Sequence, residues 1–343
     1  MYGLKQAPRQ WNAKLSEALL KFGFMQSQHD HSLFINETCK NTIVILVYVD
    51  DMLLTGPDLI LLKEVKAKLQ QDFKMKDLGE LKYFLCIKFA RSQQVILMHQ
   101  KKYTLELIYE LGLGAAKTAV TPIEANIKLT TKEYDEHTGI HNTTDNELLP
   151  VARKYQRLLG KLLYLTVTRP YIAFSVQTLS QFMQKSKRSH IEVAQRVIRY
   201  VKNQPGQGIL LSTKKKNIIT TYCDADWAAC PLTRKSVTGF FIMCGDSLVS
   251  GKSKKQSTIS RISAESEYKS IASTLAELVW ILGLFKDIEV SIALPVNIHT
   301  DSKAAIQIVA NLVFHERTKH IEIDCHFVRK KIQMAGEDIV CGH

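Results

Sequence analysis

Two adjacent carboxylates, Asp50 and Asp51, lie between two apolar, β-prone runs of the sequence, Ile43–Val49 and Met52–Leu54. This pattern predicts a buried β-hairpin that carries its acids at the tip. Paired acids on a rigid hairpin are suited to holding divalent metal ions for phosphoryl transfer. The alternative is that both residues only form the turn, because Asp is common where a hairpin reverses.

Three further acids form a second candidate site. Asp224 and Asp301 each end a predicted strand, and both Glu265 and Glu267 lie near the start of a helix that Ser263 is expected to cap. Acids at two strand ends and on a helix that packs on the same sheet converge on one edge, which is how a two-metal nuclease site is built. Helical periodicity does not choose between the two glutamates, because they flank the apolar stripe on opposite edges.

Simpler roles remain open for some of these acids. Asp301 has an alternative as a helix N-cap. Whichever glutamate is not a ligand is interpreted as an acid near a helix N-terminus, where negative charge is favourable. Asp226 is interpreted as a neighbour of the site rather than a ligand.

Apolar periodicity and turn residues predict the elements that position these acids. Helices are expected at 59–73, at 101–114 and at 151–184 with a break at 169–170, and a further one follows the basic residues at 185–190 and reaches residue 200. Residues 118–150 are predicted to be a loop or linker. From residue 217 the pattern changes to strands at 218–223, 239–244 and 248–249, the helix after 263, a strand at 296–300 and a helix from 302.

The composition is that of a basic folded protein. The 343 residues include 46 Lys and Arg against 33 Asp and Glu, a formal net charge of +13, which is expected of proteins that meet phosphate backbones. Seven dispersed cysteines without CxxC spacing, and no apolar leader, predict reduced thiols and an intracellular location, cytoplasmic or nuclear. No run is expected to be long enough to span a membrane, and residues 275–285 are interpreted as part of a core helix.

Several motifs of the sequence resemble the Ty1/copia class of retrotransposon Pol polyproteins. Two belong to the first hundred residues and three follow in order near the end: Tyr2–Pro8, Tyr48–Asp51, Tyr222–Trp227, Ser263–Tyr268 and His299–Ala305. The resemblance implies an RNA-directed DNA polymerase joined to a ribonuclease H. It further implies template RNA, a DNA primer and an RNA/DNA hybrid as partners, and Mg²⁺, with Mn²⁺ as an alternative, as the cofactor.

The resemblance also assigns roles to single residues. The expected catalytic and metal-binding acids are Asp50, Asp51, Asp224, Glu267 and Asp301, so the family pattern favours Glu267 over Glu265. Lys5 and Gln6 are expected to line the nucleotide and template site. Lys254 and Lys255 are expected to meet the phosphates of the hybrid, with a solvated loop as the alternative.

The fold class expected is α/β, with an α+β palm that carries the hairpin acids, a helical connection and a ribonuclease H-like mixed sheet with helices. The domains are predicted at 1–100 (partial reverse transcriptase palm), 101–216 (thumb and connection, mostly helical) and 217–343 (ribonuclease H-like, incomplete at its C-terminus).

The sequence departs from the family pattern in several places. The family's further palm Asp lies upstream of Tyr2, and its fourth ribonuclease H acid lies on a helix after the final strand. The chain is therefore interpreted as an internal piece of a polyprotein, with polymerase activity lost and ribonuclease H activity weak at best. The alternatives are a catalytically dead nucleic-acid-binding remnant and an unselected pseudogene product. Tyr171 stands where the family usually has an acid, and Gly251 where it commonly has Trp.

The segment His315–His326 is rich in residues that bind zinc. It lacks paired metal-ligand spacing, so an exposed helix with basic and acidic faces is the preferred interpretation.

Overall fold

The computed structural model describes residues 7–38, 41–125, 127–139, 147–149, 152–214, 216–310, 324, 326–328, 330–331 and 339–342. The helices are α1 (Ala7–Lys21), α2 (Leu59–Asp72), α3 (Lys101–Glu110), α4 (Lys132–Thr138), α5 (Ala152–Leu165), α6 (Ala173–Ser180), α7 (Arg188–Asn203), α8 (Ser263–Asp287) and α9 (Lys303–Ala310). The strands are β1 (Met25–Gln26), β2 (Leu33–Thr38), β3 (Asn41–Tyr48), β4 (Asp51–Thr55), β5 (Tyr83–Phe84), β6 (Ile87–Arg91), β7 (Val95–His99), β8 (Gly208–Ser212), β9 (Ile218–Asp226), β10 (Val237–Cys244), β11 (Ser247–Lys255), β12 (Ala293–His299) and β13 (Ile339–Gly342).

One compact unit comprises the described residues up to residue 85 together with Glu277–Ile292. Its sheet is antiparallel in the order β1-β2-β3-β4. Every second side chain of β3 is buried, and the apolar faces of α1 and α2 pack with these side chains in one core. The buried members of this core are Leu15, Leu19, Phe24, Phe34, Ile43, Ile45, Val47, Val65 and Leu69. The sheet therefore gives the acidic hairpin a rigid base.

The predicted hairpin of β3 and β4 is confirmed. Tyr48 pairs with Asp51, so the turn consists of Val49 and Asp50. Val49 has a left-handed φ of 49°. This conformation costs an L-residue about 1–2 kcal/mol, so the hairpin tip stores backbone strain.

The second compact unit comprises the described residues of Cys86–Ala276 and Ala293–His343. Its helical part packs α3, α5, α6 and α7 around one core, in which Tyr155, Leu159, Leu162 and Val197 are completely buried. The predicted break at 169–170 is confirmed, since α5 ends at Leu165 and a short 3₁₀ turn precedes α6.

Arg169, at this break, is completely buried. Its guanidinium donates hydrogen bonds to the hydroxyl of Tyr171 at 2.7 Å and to the carbonyls of Gln204 and Pro205 at 2.8 and 2.7 Å. Tyr171, which replaces the acid usual in the family, therefore gives this buried cation a neutral oxygen.

The prediction of a loop over 118–150 is wrong in part, because α4 forms within it. Thr131 caps the helix, its hydroxyl accepting the backbone N–H of Tyr134 at 3.3 Å, and Gly139 ends it with a left-handed φ of 71°. The helix has only 7 residues. Such a short helix shows little periodicity, which is why the sequence pattern missed it.

A buried polar group ties α4 to the start of α7. Asp135 and Lys187 form an ion pair of 2.5 Å, and their side chains are only 4% and 5% exposed. Thr130 donates to Asp135 at 2.5 Å. Nδ1 of His190 accepts the Lys187 backbone N–H, so Nε2 carries the proton and donates to the Thr130 carbonyl at 3.2 Å. Burial lowers the pKa of His190 to about 4, which keeps the ring neutral at pH 7.

Strand β8 was not predicted, because residues 101–216 were expected to be mostly helical. It pairs antiparallel with β7, which in turn pairs with β6. A Cβ at Gly208 would lie 2.0 Å from the carbonyl oxygen of Met98, so only glycine fits where β8 begins. The pairing of β7 with β8 joins a strand from the predicted first domain to one from the predicted second domain. The three domain boundaries stay a prediction.

The mixed sheet expected after residue 217 is confirmed. Its order is β11-β10-β9-β12-β13. The strands β9, β10 and β11 are antiparallel, whereas β12 runs parallel to β9 and β13 parallel to β12. On β11 a Cβ at Gly251 would lie 3.1 Å from that of Pro170, so the Trp common in the family would require its neighbours to shift.

Helix α8 forms where the sequence predicts it, from Ser263 through the apolar residues 275–285. By length and mean hydropathy its 25 residues would pass for a membrane span, contrary to the expectation that no segment comes near one. However, Tyr268, Ile271, Leu275 and Leu278 are completely buried within the protein. Its apolar character is therefore that of a core helix.

Candidate functional site

Strand β9 presents the first carboxylate of the second candidate site. Its side chains alternate between buried and exposed from Ile219 to Asp226, and Asp224 lies on the exposed face. The residue opposite on β10 is Gly239, which has no side chain. Because β9 is the middle strand of the sheet and Gly239 has no side chain, the Asp224 carboxylate is accessible at the centre of the sheet.

Two other elements bring acids to the same place. Glu267 lies on α8 and is buried, and Asp301 follows the end of β12 and is exposed. Ligand oxygens of Asp224, Glu267 and Asp301 all lie within 4.8 Å of one another. Within the described part of the chain, this is the only group of three or more potential metal ligands that meets this criterion.

The electrostatics of this carboxylate cluster favour a bound cation. Burial, and then the negative charges of Asp224 and Asp301, raise the pKa of Glu267 to about 7, while a hydrogen bond from the Ala225 backbone acts in the opposite direction. Glu267 Oε2 is buried and has no hydrogen-bond partner among the described residues. Oxygen ligands of this kind suit Mg²⁺ or Mn²⁺, so the donor set fits the implied metal.

The structure separates the two glutamates that periodicity left undecided. Glu265 accepts hydrogen bonds from Lys269 Nζ and the Arg261 backbone N–H, both at 2.8 Å, and lies outside the carboxylate cluster. Glu267 is the one that meets the two aspartates.

The N-cap alternative for Asp301 is not supported. Ser302 caps α9, because its hydroxyl accepts the backbone N–H of Ala305 at 3.2 Å. Asp226 is also outside the carboxylate cluster. Burial, and then the charge of Asp224, raise the pKa of Asp226.

The hairpin acids Asp50 and Asp51 are both exposed at the tip. No third carboxylate joins them within the described residues. Lys5 and Gln6 lie outside the described residues, as does most of His315–His326, so their predicted roles stay predictions.

The two lysines expected at the hybrid lie on strand β11 rather than in a loop. Lys254 is exposed, whereas Lys255 is half-buried and donates to Gln181 Oε1 at 2.9 Å. Lys254 is therefore the freer of the two for contact with a phosphate.

Sequence reasoning missed Lys269, which binds Glu265, and Ser260, whose hydroxyl accepts a hydrogen bond from Lys269. The spacing of four residues between Glu265 and Lys269 is the one available clue, since i,i+4 pairs meet on a helix. Nothing in the sequence indicates that Ser260 approaches them.

Comparisons with known proteins agree with these features. The family described as reverse transcriptase (RNA-dependent DNA polymerase) matches residues 1–125. The Pol polyprotein of transposon RE2 from Arabidopsis thaliana is 38% identical over 340 residues, which are 99% of this chain and 22% of that protein. A putative transposon Ty5-1 protein of Saccharomyces cerevisiae is 31% identical over 281 residues, which are 81% of this chain and 87% of that protein.

One solved structure, the LC11 ribonuclease H1 isolated from compost, covers 37% of this chain and 84% of its own with 16% identity and a TM-score of 0.29. That overlap is too low to carry an argument.

The hairpin with paired acids lies in the segment that the reverse transcriptase family matches, and the mixed sheet that follows later in the chain carries the carboxylate cluster. The chain belongs to the Ty1/copia-type retrotransposon Pol family. It spans about a fifth of the length of the Arabidopsis polyproteins that it matches, 22% in each case.

Proposed function

We propose that this chain cleaves the RNA strand of RNA/DNA hybrids, with Asp224, Glu267 and Asp301 as the ligands of Mg²⁺ or Mn²⁺. The observation that carries the proposal is the convergence of carboxylates from a central strand, a core helix and a strand end within 4.8 Å. A divalent ion bound there supplies an activated water and stabilisation of the leaving oxygen.

The chain's own residues prepare this site in different ways. Glu267 is buried and fixed on α8, whereas Asp224 and Asp301 are exposed and can be reached by a polyanionic substrate. The buried Glu267 therefore gives the cation a fixed ligand, and a phosphodiester can approach from the exposed side, where Asp224 and Asp301 lie.

A hybrid with labelled RNA, incubated with purified and demonstrably folded protein, tests the proposal. We expect weak cleavage of the RNA strand that requires Mg²⁺ or Mn²⁺, because three carboxylates rather than four meet in the described residues. Removal of the metal with a chelator should stop cleavage. Cleavage that persists without divalent metal would contradict the proposal.

Primer extension is expected to be absent in this chain. Asp50 and Asp51 find no third carboxylate within the described residues, so metal ions at the hairpin would have only these two carboxylates to hold them there. Extension of a DNA primer on an RNA template should not exceed that of the Asp50→Asn variant. Robust extension above this control would show that the two acids suffice.

Nucleic-acid binding without catalysis is the second candidate function, favoured by the net charge of +13. Affinity for an RNA/DNA duplex should fall about 10³-fold between 50 and 200 mM salt if about six phosphates are contacted. Lys254→Gln should lower the slope of log affinity against log salt by about one. Lys132→Gln, which removes the same charge on α4 where Lys132 pairs with Glu136, is the control and should leave the slope unchanged. A flat salt response would exclude this electrostatic binding.

A further inference from the structure

A buried ion pair lies beside the carboxylate cluster without belonging to it. Glu265 and Lys269, one turn apart on α8, are joined by 2.8 Å, and their side chains are only 9% and 8% exposed. Lys269 also donates to the Ser260 hydroxyl at 3.1 Å, and the Arg261 backbone N–H donates to Glu265 at 2.8 Å. Both buried charges are thus hydrogen-bonded, as burial requires.

The same group of contacts reaches two strands of the mixed sheet. Ser260 donates to Gln256 Oε1 at 3.2 Å. The amide nitrogen of Gln256, just after β11, donates to the carbonyl of Ser266 on α8 at 2.8 Å and to Thr238 on β10 at 3.1 Å. These contacts fasten the first turns of α8 to the sheet immediately beside Glu267.

We propose that this lysine network, defined as Glu265, Lys269, Ser260 and Gln256, is a positioning device that holds Glu267 against Asp224 and Asp301. This inference rests on the proposed metal site. Three carboxylates within 4.8 Å repel one another, and Glu267 Oε2 has no partner among the described residues. Besides the hydrogen bond that Glu267 accepts from the Ala225 backbone, what holds its carboxylate in the cluster is then the fixation of its helix from outside.

The contribution of Lys269 is mechanical rather than electrostatic. Its ammonium group is bound to Glu265 and Ser260. The hydrogen bonds of Lys269 therefore run to its own helix and to the segment just before it, and not to Asp224, Glu267 or Asp301.

The decisive variant is Lys269→Met, because the two possible roles of the lysine predict opposite results. If Lys269 acted only through its charge, removing a cation near three carboxylates would tighten Mn²⁺ binding. If it positions Glu267, Mn²⁺ binding should weaken by about tenfold or more, as is typical when a partner of a metal ligand is lost. Lys102→Met is the matched control: it makes the same charge change in an exposed i,i+4 pair, with Glu106, and binding should stay within about twofold.

Binding of Mn²⁺ to the folded, metal-free protein is measured by electron paramagnetic resonance of the free ion, without any substrate. A second readout is the indole N–H resonance of Trp227, which donates to the Ser260 carbonyl at 3.1 Å. That resonance should move in Lys269→Met and stay in place in Lys102→Met.

The double variant Glu265→Gln with Lys269→Met covers the case in which Lys269→Met does not fold, because it removes both members of the buried ion pair rather than one. It too should bind Mn²⁺ about tenfold more weakly. Unchanged or tighter binding in a folded variant would overturn the positioning role. If Asp224→Asn left Mn²⁺ binding of the otherwise unmodified protein intact, the proposed metal site itself would fail, which is a separate result.

Discussion

Asp224→Asn and Asp301→Asn are each expected to reduce cleavage of the hybrid by at least about 10³-fold, since losing a charged ligand costs several kcal/mol of transition-state stabilisation and each 1.36 kcal/mol is tenfold in rate. The Asn amide oxygen is a weaker metal ligand than the Asp carboxylate, and each substitution removes one negative charge from the cluster. The measurement is the initial rate of RNA-strand cleavage at saturating Mn²⁺, with folding verified by circular dichroism.

Asp226→Asn is the matched control for this expectation. Asp226 lies on the same exposed face of β9, two residues from Asp224, yet outside the carboxylate cluster. The same chemical change there should leave the rate within about tenfold, that is within about 1.4 kcal/mol. Activity that survives in Asp224→Asn, or that falls equally in Asp226→Asn, would show that the carboxylate cluster is not the active site.

The parts of the fold that were predictable share a physical cause. Strands β3 and β9 consist largely of β-prone residues in the sequence, and acids follow these runs at the hairpin tip and near the end of β9. Helix α2 was predicted from apolar side chains at helical spacing. Asp58, which that prediction did not use, caps the helix and accepts the backbone N–H groups of Ile60 and Leu61. Local pattern and tertiary structure agree at these places.

The missed elements depend on contacts between residues far apart in the sequence. Strand β8 exists because Gly208 allows a close approach to Met98, more than 100 positions earlier, and no local pattern reports this. Helix α4 is short and is held by the ion pair of Asp135 with Lys187. Local propensity is a weak guide where tertiary partners decide the structure.

The choice between Glu265 and Glu267 illustrates the same limit at the candidate site. Both glutamates are buried, so exposure would not have separated them either. They differ in their partners: Lys269 satisfies Glu265, whereas Glu267 keeps an oxygen without a partner among the described residues. An acid that lacks a local partner inside the protein is the better candidate for a metal ligand.

The largest effect on stability is expected at the ion pair between α4 and α7. Lys187→Met should destabilise the second unit by about 3–5 kcal/mol, because it leaves Asp135 buried without its cation. The pair is almost completely shielded from solvent, with 5% and 4% of the two side chains exposed. Urea unfolding followed by circular dichroism, with amide hydrogen exchange of α4 and α7, measures the loss.

Lys185→Met is the matched control for this change. Lys185 also pairs with an acid of α4, Glu133, but the two side chains are 65% and 48% exposed. Solvent screening limits such a pair to about 0–1 kcal/mol, so this variant should unfold nearly as the original chain does. Replacing both buried partners, as in Lys187→Met with Asp135→Leu, should recover most of the loss, because no charge is then left unpaired. Equal destabilisation by Lys185→Met and Lys187→Met would show that burial does not set the strength of this contact.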